Sequence, residues 1–205
     1  MATIIVPFSY VFTPKEDDSS RIGLKEAVFL RLSMAKTDSF FVRHSLTVDN
    51  SGTFVQDPID LGAFVDALGK SVLRVHNIAV TFSDSTGNAA QVAAGSDSAA
   101  MQFQITTQTQ TDTVLPSNKS VVASGIVYAQ NQFGTNEFPL VSHDMDNLPQ
   151  LWTNGYLIAV ETIYLGGEAS TGWVASEDMT ISIVMECTVE TATKDAALAL
   201  ALSQQ

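Results

Sequence analysis

Residues 178–190 of the chain are DMTISIVMECTVE, and this stretch decides the fold. Every second residue from position 179 is apolar, and the set comprises Met179, Ile181, Ile183, Met185, Cys187 and Val189. Most of the intervening residues carry a hydroxyl or a carboxylate. Successive side chains of a β-strand point to opposite faces, so the pattern predicts a strand with one buried face. Burying that face contributes on the order of 10 kcal/mol before ordering entropy is subtracted. A second layer is therefore expected to cover it.

Similar segments recur along the whole chain. The sequence predicts eight principal strands, near residues 3–12, 27–34, 39–48, 71–83, 101–107, 121–130, 156–165 and 178–190. Strands and helices do not alternate, which disfavours a parallel α/β fold. The links between strands are long, as in the Greek-key connections that join two sheets. We therefore expect an all-β fold, an eight-stranded antiparallel sandwich of the jelly-roll type.

Two short helices are expected beside the strands. The first is inserted after residue 59, where Asp60 caps it, Leu61, Phe64, Val65 and Leu68 form its apolar stripe, and Gly69 ends it. The second lies at the C-terminus, where residues 193–205 are TKDAALALALSQQ. A single domain is expected to span residues 1–205, with residues 1–12 as an N-terminal edge strand and 193–205 as a C-terminal assembly tail. Pro7 favours an edge position because proline cannot donate to a strand ladder.

The charge balance limits the class of partner. The chain has 205 residues and a net charge of −12, from 22 acidic and 10 basic residues. Direct binding of nucleic acid is not expected, because neutralising phosphates requires clustered Lys and Arg. No apolar run reaches the ~20 residues that span a bilayer, so no transmembrane segment is expected. The acidic surface also suits a salt-rich habitat, although an ordinary acidic protein fits equally well.

The sequence contains no recognisable catalytic arrangement. The three histidines, His44, His76 and His143, have no second His or Cys at metal-ligand spacing. A nucleophile elbow, a phosphate loop and a dinucleotide fingerprint are all missing from the sequence. The single cysteine, Cys187, lies on the apolar side of its strand and suits a buried position. We expect no enzyme, no catalytic residue and no cofactor.

Two polar or aromatic features suggest ligands, and both have a structural alternative. Asp144 and Asp146 are weak candidates for a calcium site, but Pro149 occupies the position where a calcium loop requires glycine, which favours a solvated loop. Trp152 and Trp173 lie near predicted loops and suit either a sugar-stacking platform or ordinary packing.

Both ends of the chain are apolar, although exposed termini are usually polar and loosely held. An unpaired apolar edge strand favours assembly with other copies of the chain. The predicted assembly contacts are Ile4, Val6, Phe8 and Tyr10 at the N-terminus, and Leu198 and Leu200 at the C-terminus.

The chain resembles the single jelly-roll capsid proteins of icosahedral viruses. The resemblance lies in the eight-strand layout, the helix at 60–68 that precedes the long strand 71–83, and the long loops. It covers most of the chain and is architectural, without a diagnostic motif. It implies a structural virion subunit that self-assembles into an icosahedral shell in the host cytoplasm.

The resemblance also implies which partners are expected. They are copies of the same chain, with other capsid proteins left open. Many RNA-packaging relatives carry a basic N-terminal arm that this chain lacks, which suits a genome enclosed by an inner membrane or by other proteins. Contact with an inner viral membrane is therefore left open as well. The alternative functions are a carbohydrate-binding or adhesin β-sandwich module and, third, an enzyme with scattered catalytic residues.

Overall fold

The computed structural model describes residues 38–66, 70–93, 98–130, 140–142, 152–174 and 178–205, and of residues 140–142 only the backbone. Two predicted strands, 3–12 and 27–34, lie outside these residues, as do His143, Asp144 and Asp146. The assignment of a single domain to residues 1–205 remains a prediction.

The described residues contain nine strands and one helix. In chain order they are β1 (Phe40–Val48), β2 (Val55–Asp60), β3 (Ser71–Asp84), β4 (Ser98–Thr106), β5 (Val121–Gln130), β6 (Leu140–Ser142), β7 (Tyr156–Ile158), β8 (Thr162–Ala169), β9 (Met179–Thr191) and α1 (Lys194–Ser203).

The strands form two antiparallel sheets with a nested order. One sheet has the order β1-β9-β3-β7 and the other β2-β8-β4-β5-β6. The first strand pairs with the ninth, the second with the eighth, the third with the seventh and the fourth with the fifth, in alternating sheets. A chain folded in half and wrapped into two sheets produces this nesting, which defines a jelly roll. The predicted fold class is confirmed.

The core lies between the two sheets, and β9 is central to it. Met179, Ile181 and Ile183 are at most 1% exposed, and Met185 and Cys187 are fully buried. Strand β9 pairs with β1 on one side and with β3 on the other. The stretch that predicted the fold therefore forms the middle of one sheet.

The predicted strand 156–165 is two strands in different sheets. Strand β7 pairs with β3, and β8 pairs with β2 and β4. Between them, the backbone N–H of Ala159 donates to the Gln204 side-chain oxygen at 3.0 Å, and the carbonyl of Glu161 accepts from Leu61 at 2.7 Å. These bonds satisfy the backbone where the chain crosses from sheet to sheet.

The predicted helix at 60–68 is wrong over the described residues 60–66. Asp60 ends β2, and its carboxylate accepts from the Gly62 N–H at 2.8 Å in a tight turn. A single helical turn follows, in which Val65 donates to the Leu61 carbonyl, and Asp66 then bridges to Ser71. One turn between two strands is too short to propagate a helix. The apolar stripe was nevertheless correct in burial, since Leu61 and Val65 are both in the core.

Candidate assembly surface

Helix α1 confirms the predicted C-terminal helix. Thr193 caps its N-terminus, and the Thr193 hydroxyl accepts from the Ala196 N–H at 3.3 Å. Asp195 lies in the first turn, where a negative charge complements the helix dipole.

The helix packs on its own sandwich through small side chains. Ala197 and Ala201 are buried against Val72 of β3 and Ala159, which follows β7. One helical turn further on is Gln204, which is 3% exposed. The helix therefore lies against the end of the sheet that contains β3 and β7.

Gln204 anchors the chain end because its side-chain amide hydrogen-bonds backbone groups as a neighbouring strand would. Its side-chain amide accepts from the Ala159 N–H at 3.0 Å and donates to the Leu157 carbonyl at 2.7 Å. Its backbone carbonyl accepts from the Thr107 hydroxyl at 2.6 Å and from the Gln108 amide at 3.3 Å. One glutamine thus joins β7 to the loop that follows β4.

The outward face of α1 is apolar. Leu198 is 43% exposed and Leu202 is 62% exposed, one helical turn apart. Leu200, between them, is half-buried against the small cluster under the helix. A helix that is apolar on every side is normally covered on every side, and none of the described residues covers these two leucines.

A third exposed leucine lies on the loop 107–120 beside the chain end. Leu115 is 76% exposed, and its carbonyl accepts from the Asn118 N–H at 2.8 Å. The next residue, Lys119, hydrogen-bonds the Gln205 carbonyl. We call Leu198 and Leu202 the C-terminal surface, and the loop that contains Leu115 adjoins it through Thr107, Gln108 and Lys119.

The loop 107–120 is held rigidly against the outer face of β4. The Gln104 side chain pairs with both the N–H and the carbonyl of Val114, and Gln104 is only 2% exposed. In addition, the Gln110 N–H donates to the Gln56 side-chain oxygen at 2.9 Å. The position of Leu115 is therefore set by the sheet beneath it.

An ion pair lies on the same end of the molecule. The Arg74 guanidinium donates to both oxygens of Glu190, and it also donates to the Asn154 carbonyl. The hydrogen bonds from Arg74 lower the pKa of Glu190, and the Glu190 carboxylate in turn raises the pKa of Arg74. The pair connects β3, β9 and the segment that leads into β7.

The described histidines have ordinary partners. His44 Nε2 lies 3.2 Å from the Asp57 carboxylate, which links the edges of the two sheets. His76 Nε2 lies 2.9 Å from the Thr188 hydroxyl. Within the described residues, no group of three or more His, Cys, Asp or Glu side chains could hold a metal ion.

Neither tryptophan forms an open platform. Trp173 is 1% exposed, and its indole N–H donates to the Ala100 carbonyl at 2.9 Å. Trp152 is half-buried and stacks on Tyr156 with ring centroids 4.9 Å apart. Packing is thus the observed role of both indoles.

The predicted site residues have different outcomes. Leu198 is exposed and Leu200 half-buried, and their role in assembly stays a prediction. The other predicted contacts, Ile4, Val6, Phe8 and Tyr10, lie outside the described residues, as do the calcium candidates. The sequence analysis missed Leu202 and Leu115. The four-residue spacing from Leu198 could have identified Leu202, whereas the exposure of Leu115 depends on the fold of its loop.

Within the described part of the chain, no helix has the length and apolar character needed to cross a membrane.

The strand order places the chain among double-sheet jelly-roll proteins. No family model and no curated protein matches the sequence. Among solved structures, the chain is similar to VP1 of the Trichodysplasia spinulosa-associated polyomavirus, solved in complex with GM1 oligosaccharide. The identity is 9% and the TM-score 0.44, over 77% of this chain and 96% of VP1. The double-sheet jelly-roll architecture expected from the sequence is confirmed by the strand order.

Proposed function

We propose that this chain is a structural subunit of an icosahedral viral shell that assembles from many copies of itself. The observation that carries the proposal is the C-terminal surface, where Leu198 and Leu202 face outward from a helix already packed on its own domain. A jelly roll by itself hosts many functions, so the fold supports the proposal only by analogy. The exposed leucines of the C-terminal surface are the physical support for the shell function.

The energetic argument concerns these leucines. Covering a large apolar side chain stabilises by about 1.5–3 kcal/mol when burial is complete. Single exposed leucines are common on monomers and need no explanation. Two of them on one face of a helix, with a third on an adjoining rigid loop, suit a contact with another protein surface.

The finer parts of the proposal extend the resemblance to capsid proteins. The subunit has no enzymatic role, resides in the virion and assembles in the host cytoplasm. Its partners are copies of itself, with other capsid proteins as further candidates. A net charge of −12 disfavours direct contact with the genome. An inner viral membrane or another protein would then lie between shell and genome.

Assembly through the C-terminal surface is tested by the double substitution Leu198→Gln and Leu202→Gln. Both side chains are exposed, so the fold should survive, as circular dichroism and urea unfolding would verify. We expect light scattering and negative-stain electron microscopy to show particles for the wild type and at least a tenfold loss of particles for the variant. Lys194→Gln, exposed on the same helix, serves as the matched control.

Two results would each contradict one part of the proposal, either the shell function or the contact through the C-terminal surface. One is a wild-type protein that stays monomeric at every concentration and salt tried, which removes the shell function. The other is unchanged assembly of the double variant, which removes the C-terminal surface as a contact while leaving the shell function intact.

The carbohydrate-binding alternative loses its predicted platform. Exposed Trp152 and Trp173 beside residues 144–146 would favour it, but the Trp173 ring is buried and offers no face to a sugar. The shell subunit is therefore the function that the described surface favours.

A further inference from the structure

The two sheets have four outer strands among the described residues, namely β1 and β7 in one sheet and β2 and β6 in the other. An outer strand presents a row of unpaired backbone N–H and C=O groups, which is a template for pairing with another chain. Proteins protect such edges with short strands, prolines, charges or bulges.

Three of the four edges are short or contain a proline. Strands β6 and β7 are three residues long each. Strand β2 has six residues, among which Pro58 cannot donate to a ladder and Asp57 and Asp60 are charged. None of these three strands is itself a long template, although β3 and β5 extend past β7 and β6, which pair with them only at residues 73–75 and 128–130.

Strand β1 carries only one of these protections, the charge of Arg43. It has nine residues, FFVRHSLTV, without proline, glycine or an acidic residue. Its register with β9 runs without a shift from Phe40 to Val48. None of the described residues pairs with its other side. A long and regular edge strand without proline or a bulge is a template for pairing with a strand of another molecule.

The side chains of β1 also suit a partner. Phe41 is 52% exposed, and the Arg43 guanidinium lies 5.3 Å from the centre of its ring. Ser45 and Thr47 follow on the same outward face and are exposed. Strand β1 itself contains no carboxylate, and the Asp57 carboxylate of β2 that lies beside it is paired with His44 at 3.2 Å.

We propose that the free edge of β1 pairs antiparallel with the same edge of a second copy across a two-fold axis. The sheet β1-β9-β3-β7 and its mate then form one continuous sheet of eight strands, four from each copy. A two-fold contact uses the same patch on both copies. Arg43 is the one Lys, Arg, Asp or Glu in the strand, and it lies opposite a second Arg43 only if the axis passes through that residue. The proposal rests on the shell function and specifies one of its joints.

The test uses disulfide cross-linking at single introduced cysteines. Arg43→Cys, Ser45→Cys and Thr47→Cys place a thiol along the outward face of β1. A two-fold antiparallel joint brings an outward position opposite itself if the axis passes through an outward residue, and two neighbouring outward positions opposite each other if it passes through an inward one. The variants are therefore oxidised both singly and as equal mixtures of two. Wild-type protein is the baseline, because Cys187 is buried and desolvation raises the pKa of its thiol to about 12. A protonated thiol does not form disulfides readily.

The matched control is Thr81→Cys on β3, which β9 separates from the β1 edge. Ser45 and Thr81 both lie opposite Ser182, one on each side of β9, and both are exposed. With copper-phenanthroline as the oxidant at pH 8, we expect covalent dimers from at least one β1 position on a non-reducing gel. We expect at least tenfold fewer from Thr81→Cys and from the wild type.

A second pair of variants tests the strength of the dimer contact without cross-linking. Ser45→Lys adds a charge at the proposed joint, whereas Thr81→Lys adds it on the same face of the sheet, two strands away from that edge. We expect the dimer dissociation constant to rise at least tenfold for Ser45→Lys and less than threefold for Thr81→Lys, as measured by analytical ultracentrifugation.

The outcomes separate this proposal from the shell function. If the wild type assembles but no β1 cysteine cross-links and Ser45→Lys assembles normally, the β1 joint is wrong and the shell function stands. Another segment, such as residues 27–34 of the same chain, would then occupy the edge. If the wild type never associates, both proposals are wrong.

Discussion

At the residue scale, Gln204 shows how one side chain holds the chain end. Its amide pairs with the backbone of Leu157 and Ala159, where the chain leaves β7 and no strand partner is present among the described residues. Buried amide groups cost free energy if their hydrogen bonds are removed, because they cannot return to water.

We therefore expect Gln204→Ala to lower the free energy of unfolding by about 2–4 kcal/mol, since two buried backbone groups lose their partner. Urea unfolding followed by circular dichroism measures the change. Gln205→Ala is the matched control, because Gln205 is exposed and is bonded through its backbone carbonyl, and it should stay within about 0.5 kcal/mol of the wild type. Equal stability of the two variants would show that the amide does not anchor the chain end.

At the element scale, the sequence predicts strands well where one face is buried. The alternation at 178–190 predicts β9 because every second side chain enters the core. The same kind of prediction fails at 156–165, because both faces of this segment are apolar and the chain changes sheet within it. Periodicity carries no information about which sheet a strand joins.

The second half of β8 was missed for a different reason. Gly166 and Gly167 resemble a turn in sequence, but both lie in the strand. A Cβ at Gly166 would lie 2.5 Å from the Phe54 ring, and one at Gly167 would lie 2.3 Å from the Ile181 side chain. The glycines are there for close packing, which is a tertiary property and invisible to local patterns.

The candidate surface was predictable only in part, for the same physical reason. The Ala and Leu content of residues 194–203 predicts an apolar helix, but not which side faces the domain. The structure turns Ala197 and Ala201 inward, where they pack with Val72 and Ala159, and this leaves Leu198 and Leu202 outside. The open edge of β1 required the whole strand order.

The ion pair between Arg74 and Glu190 gives an element-scale prediction with a defined pH range. Because the folded-state pKa of Glu190 is lowered by its bonds from Arg74, the stabilisation is present above the unfolded pKa of about 4.3. It is lost as the pH falls through the lowered folded-state pKa. The carboxylate is 38% exposed, so solvent screening limits the pair to at most about 1 kcal/mol.

We expect Glu190→Gln to be less stable than the wild type at pH 7 by up to about 1 kcal/mol and equal to it near pH 2, where the wild-type carboxylate is protonated. Urea unfolding at the two pH values measures the difference. Glu186→Gln on the same strand has no described arginine partner and serves as the control. A destabilisation that is the same at both pH values would show that packing, not charge, is responsible.

At the scale of the whole molecule, charge and assembly oppose each other. Every copy carries a net charge of −12, so bringing copies together raises the electrostatic free energy at low ionic strength. The proposed contacts avoid this cost locally, because the C-terminal surface is formed by leucines and β1 has no acidic residue. The remaining repulsion acts over longer distances through the solvent.

Long-range repulsion of this kind is screened by salt, since the Debye length falls from about 10 Å at 0.1 M to about 3 Å at 1 M. We therefore expect association of the full chain to strengthen at least tenfold between 0.05 M and 1 M NaCl, as measured by light scattering at fixed protein concentration. Na₂SO₄ at matched ionic strength separates screening from salting-out, because screening alone gives the same result for both salts. Association that weakens with NaCl would mean that ion pairs hold the copies together. The apolar surface and the β1 edge would then not be the dominant contacts.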